Sequence, residues 1–291
     1  MSMESMGVAA TRAVPAAVAT GQPRRLTPAQ RLQLDVYGYV LLEDVLTPDE
    51  VARMKEALYR LKAEPDPAAH RVYAHRHGEH HVLFGHLVEY DPALLEYAAH
   101  PKLVPLVEEV VGGSVRLEES EAIINRRDPN ADLSAWAGRR VVPIGFHTGT
   151  RHGWGTYMEN HHFHCLFVKT LAYLTDVGPD DGGTAVIPGS HRLSWPERQI
   201  IEAALSDERL IYQVEARAGS VLLFPESLVH STTAIRSDNE RVILVCGYTP
   251  PMMCEWPGNE ISPEFVASLP EAMRPLISGS ESWHWRRHVE E

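Results

Sequence analysis

The chain predicts a mainly β fold in which helices precede a double-sheet core, and three observations carry that expectation. Beyond Gly113, short apolar or alternating runs recur at residues 115–125, 141–146, 166–177, 184–188, 220–224 and 242–248, separated by Gly, Pro and Asp. That is the texture of a β-sandwich or barrel. Before Gly113 the pattern is helical: Thr47-Pro48-Asp49-Glu50 offers a hydroxyl N-cap, a proline at the first helical position and a glutamate placed to close a capping box. The third observation is composition, 44% hydrophobic and 23% charged over 291 residues, which is ordinary for a globular chain with one sizeable core.

In order along the chain, the first 26 residues are rich in Ala and Val but broken by Pro15 and Pro23. They lack the continuous apolar core of a secretory signal and are expected to form a disordered leader, with residues 27–291 as a single domain. Thr27-Pro28 opens a short helix and residues 37–42 read as a strand. The helix capped by Thr47 runs to about Lys62. Residues 66–86, with six histidines, read as a loop, and residues 101–111 carry helical apolar spacing. A single helix, residues 196–205, interrupts the strands, and there is no internal repeat.

Lys and Arg number 27 against 39 Asp and Glu, a net charge of −12, which argues against nucleic-acid polymers and anionic membrane surfaces as partners. No stretch approaches the ~18–20 apolar residues that a membrane helix requires. The cysteines, Cys165, Cys246 and Cys254, form neither a disulfide framework nor a zinc motif and suit a reducing compartment, so cytoplasm is expected. The 16 histidines are the unusual feature, because imidazole is the commonest transition-metal ligand and the usual proton shuttle near neutral pH.

Two features of the β-rich half belong together. His147-Thr148-Gly149 follows one strand, and His230 is expected near the end of a later one, with Arg241 eleven residues further on. With them stand residues 171–192, ending in Pro188-Gly189-Ser190-His191-Arg192, and the opening Gly38-Tyr39-Val40 before Thr47-Pro48-Asp49-Glu50-Val51. These motifs resemble the phytanoyl-CoA dioxygenase-like group of Fe(II)/2-oxoglutarate enzymes, over about residues 36–248.

The resemblance implies a double-stranded β-helix, a jelly roll of cupin type, with one iron between its sheets. Two imidazoles and a carboxylate hold one face of Fe(II) in such sites and leave positions for cosubstrate and O₂. By resemblance His147 and His230 are the imidazole ligands, and Arg241, helped by Thr232, pairs with the distal carboxylate of 2-oxoglutarate. The family places an Asp two residues past the first His, and here that position is Gly149. A glycine vacates a coordination position that chloride or bromide would fill, as in iron halogenases resembling this family. The expected activity is therefore radical chlorination of a C–H bond in a small anionic molecule. The leading candidate is the 2′ carbon of a deoxyadenosine nucleotide, by similarity to the nucleotide halogenases of adenosine-type antibiotic pathways. Hydroxylation, with water or a remote carboxylate such as Glu159 as third ligand, is the alternative, and a non-catalytic protein that binds 2-oxoglutarate or metal is a third class.

The anionic expectation rests on residues 116–152, where six arginines face five acids inside an acidic chain. Arg127, Arg151 and His152 are candidate substrate contacts, and Trp154, Tyr157 and Phe163 are candidates to stack on a base. His162 is expected to line the pocket. It also offers a competing arrangement, since His162 and His164 share one face of a strand and would make a three-His site with His230; the ligand spacing favours His147. The tail segment Trp283-His284-Trp285 is expected to lid the site or seal a homodimer.

Overall fold

A computed structural model describes residues 25–150, 153–255 and 259–280. The leader expected over residues 1–26 lies outside the described residues except for Arg25 and Leu26, and so do Arg151, His152 and the Trp283–Trp285 segment. Leu26 is buried and donates its amide to Glu109 at 2.9 Å.

The N-terminal helices begin where their capping chemistry says they should. Helix α1 (Pro28–Tyr37) has a complete Thr27–Gln30 capping box and stops at Gly38, whose φ of 83° is the left-handed cap that glycine adopts without strain. Strand β1 (Val40–Leu42) follows, then α2 (Pro48–Ala63), closed at its start by the Thr47–Glu50 box. A hairpin, β2 (Tyr73–His77) and β3 (His81–Gly85), replaces the loop expected at residues 66–86. Its histidines mask a strand pattern, and β3 is held as a strand by pairing with β4 (Arg116–Asn125). Between them lie the short α3 (Pro92–Ala98) and α4 (Val104–Val111).

The C-terminal part supplies β5 (Pro143–His147), β6 (Thr156–Glu159), β7 (His162–Cys165), β8 (Val168–Tyr173) and β9 (Thr184–Val186). Helix α5 (Glu197–Ser206) interrupts, and β10 (Tyr212–Gln213), β11 (Val221–Pro225), β12 (His230–Thr233) and β13 (Arg241–Thr249) complete the sheets. His230 thus opens its own strand instead of ending one, because the chain turns at Pro225–Leu228, where the Leu228 amide donates to the Pro225 carbonyl at 3.0 Å.

Seven strands form one sheet in the order β1-β11-β8-β13-β4-β3-β2, and four form the other in the order β10-β9-β12-β5. This is the expected mainly β jelly roll with flanking helices. Alternation sorts the large sheet. Ala122, Ile124, Ala172, Val242 and Leu244 face the helices and pack with Leu34, Met54, Leu58 and Leu61, each fully or almost fully buried. The next residues along, Leu171, Tyr173 and Ile243, face the smaller sheet with Phe224 and Val186. Burying each large side chain contributes about 1.5–3 kcal/mol, so the helix-facing side anchors the fold and leaves the inner side to shape a cavity. Helix α5 closes the far side of the small sheet through Ile200 and Ala204 against Ala185, Ile187 and Val229. Among the described residues no helix is long and apolar enough to cross a membrane.

Candidate active site

The inner faces of the two sheets enclose a cavity of about 300 Å³, lined among others by His147, Gly149, Glu226, His230, Thr232 and Arg241. Its centre is the pairing of β5 with β12. His147 stands opposite His230 and Ile144 opposite Thr232, so three steps along β5 match two along β12. The extra residue is a bulge at Gly145, whose φ of 76° only glycine adopts readily. In a regular strand residues 144 and 147 would point to opposite faces, and the bulge brings both into the cavity.

The two imidazole rings lie with centroids 4.4 Å apart. His147 Nδ1 is 3.0 Å from the Gly145 carbonyl and His230 Nδ1 is 2.8 Å from the Leu228 carbonyl. A carbonyl only accepts, so each Nδ1 carries the proton and each Nε2 keeps a lone pair, the tautomer a metal requires. The protein around His230 pushes its pKa down to about 4, by desolvation first and by the nearness of His147 second. At neutral pH its ring is uncharged.

Arg241 opens β13 and is 2% exposed. Its Nε donates to Asn125 Oδ1 at 3.1 Å and its Nη1 donates to the Gly182 carbonyl. Burial lowers its pKa to about 10, which leaves it charged. Among the described residues no carboxylate pairs with it, and Thr232 Oγ1 is buried without a hydrogen-bond partner. A buried guanidinium without an anion and an orphaned hydroxyl in one cavity call for an anionic ligand. The residues present therefore fit 2-oxoglutarate at this end and a metal at the two imidazoles.

Position 149 holds the main surprise. The Gly149 amide donates to the main-chain carbonyl of Glu226 at 3.2 Å, and a β-carbon at 149 would fall within the Glu226 carboxylate. Glu226 is 3% exposed; its Oε1 lies 3.3 Å from Lys169 Nζ, and its Oε2 is buried with no hydrogen-bond partner. Lys169 also pairs with Glu118 at 3.5 Å and with Glu119. A second bulge explains how neighbours 118 and 119 both reach the cavity: Glu119 faces Gly247 and Leu117 faces Tyr248, leaving Glu118 as the extra residue. Burial raises the pKa values of Glu118 and Glu121, against the Lys169 ammonium at the first and a Tyr73 hydrogen bond at the second. Among the described residues no three His, Cys, Asp or Glu side chains converge as a finished metal site.

Several expected contacts lie elsewhere. Arg127 pairs with Asp238 at 2.7 Å and lines an adjoining pocket with His77, His80 and His81. His162 is bound to Asp35 at 3.0 Å, and His164 is buried with Nδ1 3.1 Å from the Val110 carbonyl. Neither lines the cavity, so the three-His arrangement is not formed, and Glu159 is absent from the lining too. Trp154 is half exposed and leans on Phe167, which does line it. Tyr157 donates to the Val111 carbonyl at 2.6 Å and Phe163 is core. Lys169 and Glu226 were the missed residues. Lys169 did leave a signal, as the single charge in the apolar run Leu166–Tyr173.

The fold and this cavity define a jelly-roll protein with two imidazoles and a buried arginine between its sheets. The phytanoyl-CoA dioxygenase (PhyH) family profile matches residues 34–243, and the chain belongs to that family of Fe(II)/2-oxoglutarate oxygenase-type enzymes. It is 23% identical over 212 residues to the uncharacterised protein Rv1501 of Mycobacterium tuberculosis, covering 72% of this chain and 71% of that one. In structure it is similar to HygX from Streptomyces hygroscopicus, solved with nickel, 2-oxoglutarate and hygromycin B bound: TM-score 0.64, 23% identity, 79% of this chain and 90% of that one. The epimerase SnoN from nogalamycin biosynthesis is similar too, with a TM-score of 0.57 and 21% identity over 76% of this chain and 82% of that one.

Proposed function

We propose that the protein oxygenates a C–H bond of a free small molecule, with His147 and His230 holding Fe(II) and Arg241 and Thr232 holding 2-oxoglutarate. The observation that carries this reading is the convergence of two lone-pair-bearing imidazoles and an anion-less buried arginine on one cavity. Bound iron supplies the coupling of 2-oxoglutarate decarboxylation to substrate oxidation, R–H + 2-oxoglutarate + O₂ → R–OH + succinate + CO₂. The protein's part is to hold both imidazoles in one tautomer, to anchor the cosubstrate by a forked ion pair, and to line part of the cavity with the apolar side chains Ile123, Ile144, Leu171, Phe224 and Ile243.

The wall beside the imidazoles sets the substrate class. Glu118, Glu119 and Glu121 line it against the single ammonium of Lys169, which favours a molecule bearing an amine over the anionic, nucleotide-like one expected from the arginine-rich stretch. No described arginine of that stretch lines the cavity. In the adjoining pocket Arg126, Arg127 and Arg236 each already face a carboxylate, at 3.7, 2.7 and 2.8 Å. HygX, whose solved complex contains hygromycin B, is consistent with a small-molecule substrate. Halogenation with chloride or bromide is the second reading, and Gly149 favours it by bringing no carboxylate of its own. The Glu226 side chain in the space beside Gly149 weighs for oxygenation.

The test is anaerobic addition of Fe(II) and 2-oxoglutarate, followed through the iron-to-cosubstrate charge-transfer absorption, in native protein and in His147→Ala. The band is expected in the first and absent from the second. Addition of O₂ with amine-bearing small molecules, scored by succinate and product mass, then separates gain of one oxygen atom from a chlorine isotope pattern. A band that survives in His147→Ala overturns the assignment of the iron site.

A further inference from the structure

We infer that Glu226 supplies the carboxylate ligand that position 149 lacks, completing a two-histidine, one-carboxylate iron site from an unexpected point in the chain. This rests on the iron site proposed above and deepens it. In the usual arrangement an acid two residues past the first histidine projects its carboxylate from residue 149. Here the same volume is filled from the adjoining segment, where a β-carbon at 149 would coincide with the Glu226 carboxylate. The absence of a side chain at 149 is thus matched by the presence of another residue's acid group in the space it frees.

Four further observations agree. Glu226 lies four residues before His230, and the turn between them is closed by the hydrogen bond from the Leu228 amide to the Pro225 carbonyl, so acid and imidazole are set by one local structure. Its backbone is tied at both ends: the Glu226 amide donates to the Phe167 carbonyl at 2.9 Å, and its carbonyl accepts from Gly149 at 3.2 Å. One oxygen, Oε1, is oriented by Lys169 at 3.3 Å. The other, Oε2, is buried with no partner, although a buried carboxylate oxygen without a donor is costly to leave so. A metal at the two imidazoles, whose cavity the Glu226 side chain also lines, would give it a partner. Lys169 then serves as an outer-shell positioning residue, as hydrogen-bonded partners of ligating carboxylates commonly do.

A purely structural Glu226–Lys169 ion pair would fill the same space, and metal binding separates the two roles. Co(II) is titrated anaerobically into native protein, His147→Ala, Glu226→Ala and the double variant Glu226→Ala/Gly149→Asp, reading the visible Co(II) spectrum and Kd, with far-UV circular dichroism to verify folding. Loss of outer-shell partners weakens metal sites about 10–100-fold. Removal of a ligand should therefore weaken Co(II) binding in Glu226→Ala by more than about 100-fold and change its spectrum. The double variant, with an acid restored at position 149, should recover most of the affinity. Native affinity and spectrum in Glu226→Ala, with loss confined to His147→Ala, would overturn the ligand role of Glu226 and leave the iron site standing. Native affinity in His147→Ala would overturn both. If Glu226→Ala fails to fold, the same comparison is made with Glu226→Gln, where an unchanged Co(II) spectrum would overturn the inference.

Discussion

The Gly149 amide is hydrogen-bonded to the Glu226 carbonyl at 3.2 Å, and the Glu226 carboxylate fills the volume that a side chain at 149 would occupy. The two residues are 77 positions apart in the chain, yet each is explicable only through the other. The acid has room because residue 149 has no side chain, and a side chain at 149 would have to displace it.

Gly149→Ala tests that mutual fit most simply. The added methyl must displace the Glu226 carboxylate from its Lys169 partner, so the variant should melt below the native protein by circular dichroism. Glu226→Ala/Gly149→Ala should not show the added loss beyond Glu226→Ala itself.

The halide question has its own variant. If Glu226 is what keeps a halide out, Glu226→Ala frees an anion position beside the imidazoles. Chloride should then perturb the Fe(II)–2-oxoglutarate absorption of the variant and not that of the native protein. Gly149→Asp should not raise any chlorination, and chlorination that persists unchanged in it would remove residue 149 from the halide site.

At the other end of the cavity, Arg241→Met removes a buried cation that has no carboxylate partner among the described residues. Losing one side of a buried charged pair costs about 2–5 kcal/mol of binding, so the Kd for 2-oxoglutarate should rise by about 100-fold. Met also removes the donors to Asn125 Oδ1 and the Gly182 carbonyl, so a modest fall in melting temperature is expected beside the loss of cosubstrate affinity. A fall in stability with unchanged cosubstrate affinity would make Arg241 a structural residue.

Acid stability follows from two buried imidazoles. Burial pushes His191 and His230 down to about 4 from an ordinary 6.5. The unfolded chain takes up these protons first as pH falls, so the stability due to the neutral rings is present above pH 6.5 and is lost as pH falls from there through about 4. Each ring contributes a loss of up to about 3 kcal/mol. His191→Leu should flatten the decline in melting temperature over that interval. Bound Co(II) should lessen the His230 share, because metal and proton compete for the same nitrogen.

The acidic wall predicts selectivity. Glu119→Gln and Glu121→Gln should weaken binding of amine-bearing substrates by about tenfold, the scale of one hydrogen bond to a charged group. Neutral analogues should be unaffected. Equal effects on both would show that the wall acts through shape.

Much of the architecture was legible beforehand because it rests on local rules. The Thr27 and Thr47 capping boxes set the starts of α1 and α2, and apolar alternation located β4, β8 and β13 close to their ends. His147, His230, Thr232 and Arg241 were named by the resemblance to the dioxygenase family and meet in one cavity. The β2–β3 hairpin was read as loop because its histidines carry no hydrophobic period, and only the edge of β4 makes it a strand. Arg127 and His162 were read as pocket residues because sequence neighbourhood says nothing about face; each is turned away to a carboxylate of its own.

The sequence by itself determined the helix starts and the strand-rich core, because capping and alternation act over a few neighbouring residues, and its motifs carried the resemblance that named His147, His230, Thr232 and Arg241. Only the tertiary structure decided what faces the cavity. Bulges at Gly145 and Glu118 reverse the side to which residues point, and they exist only in paired strands. The filling of Gly149's empty space by Glu226 is likewise a packing relation between distant segments, and a linear sequence carries no measure of volume.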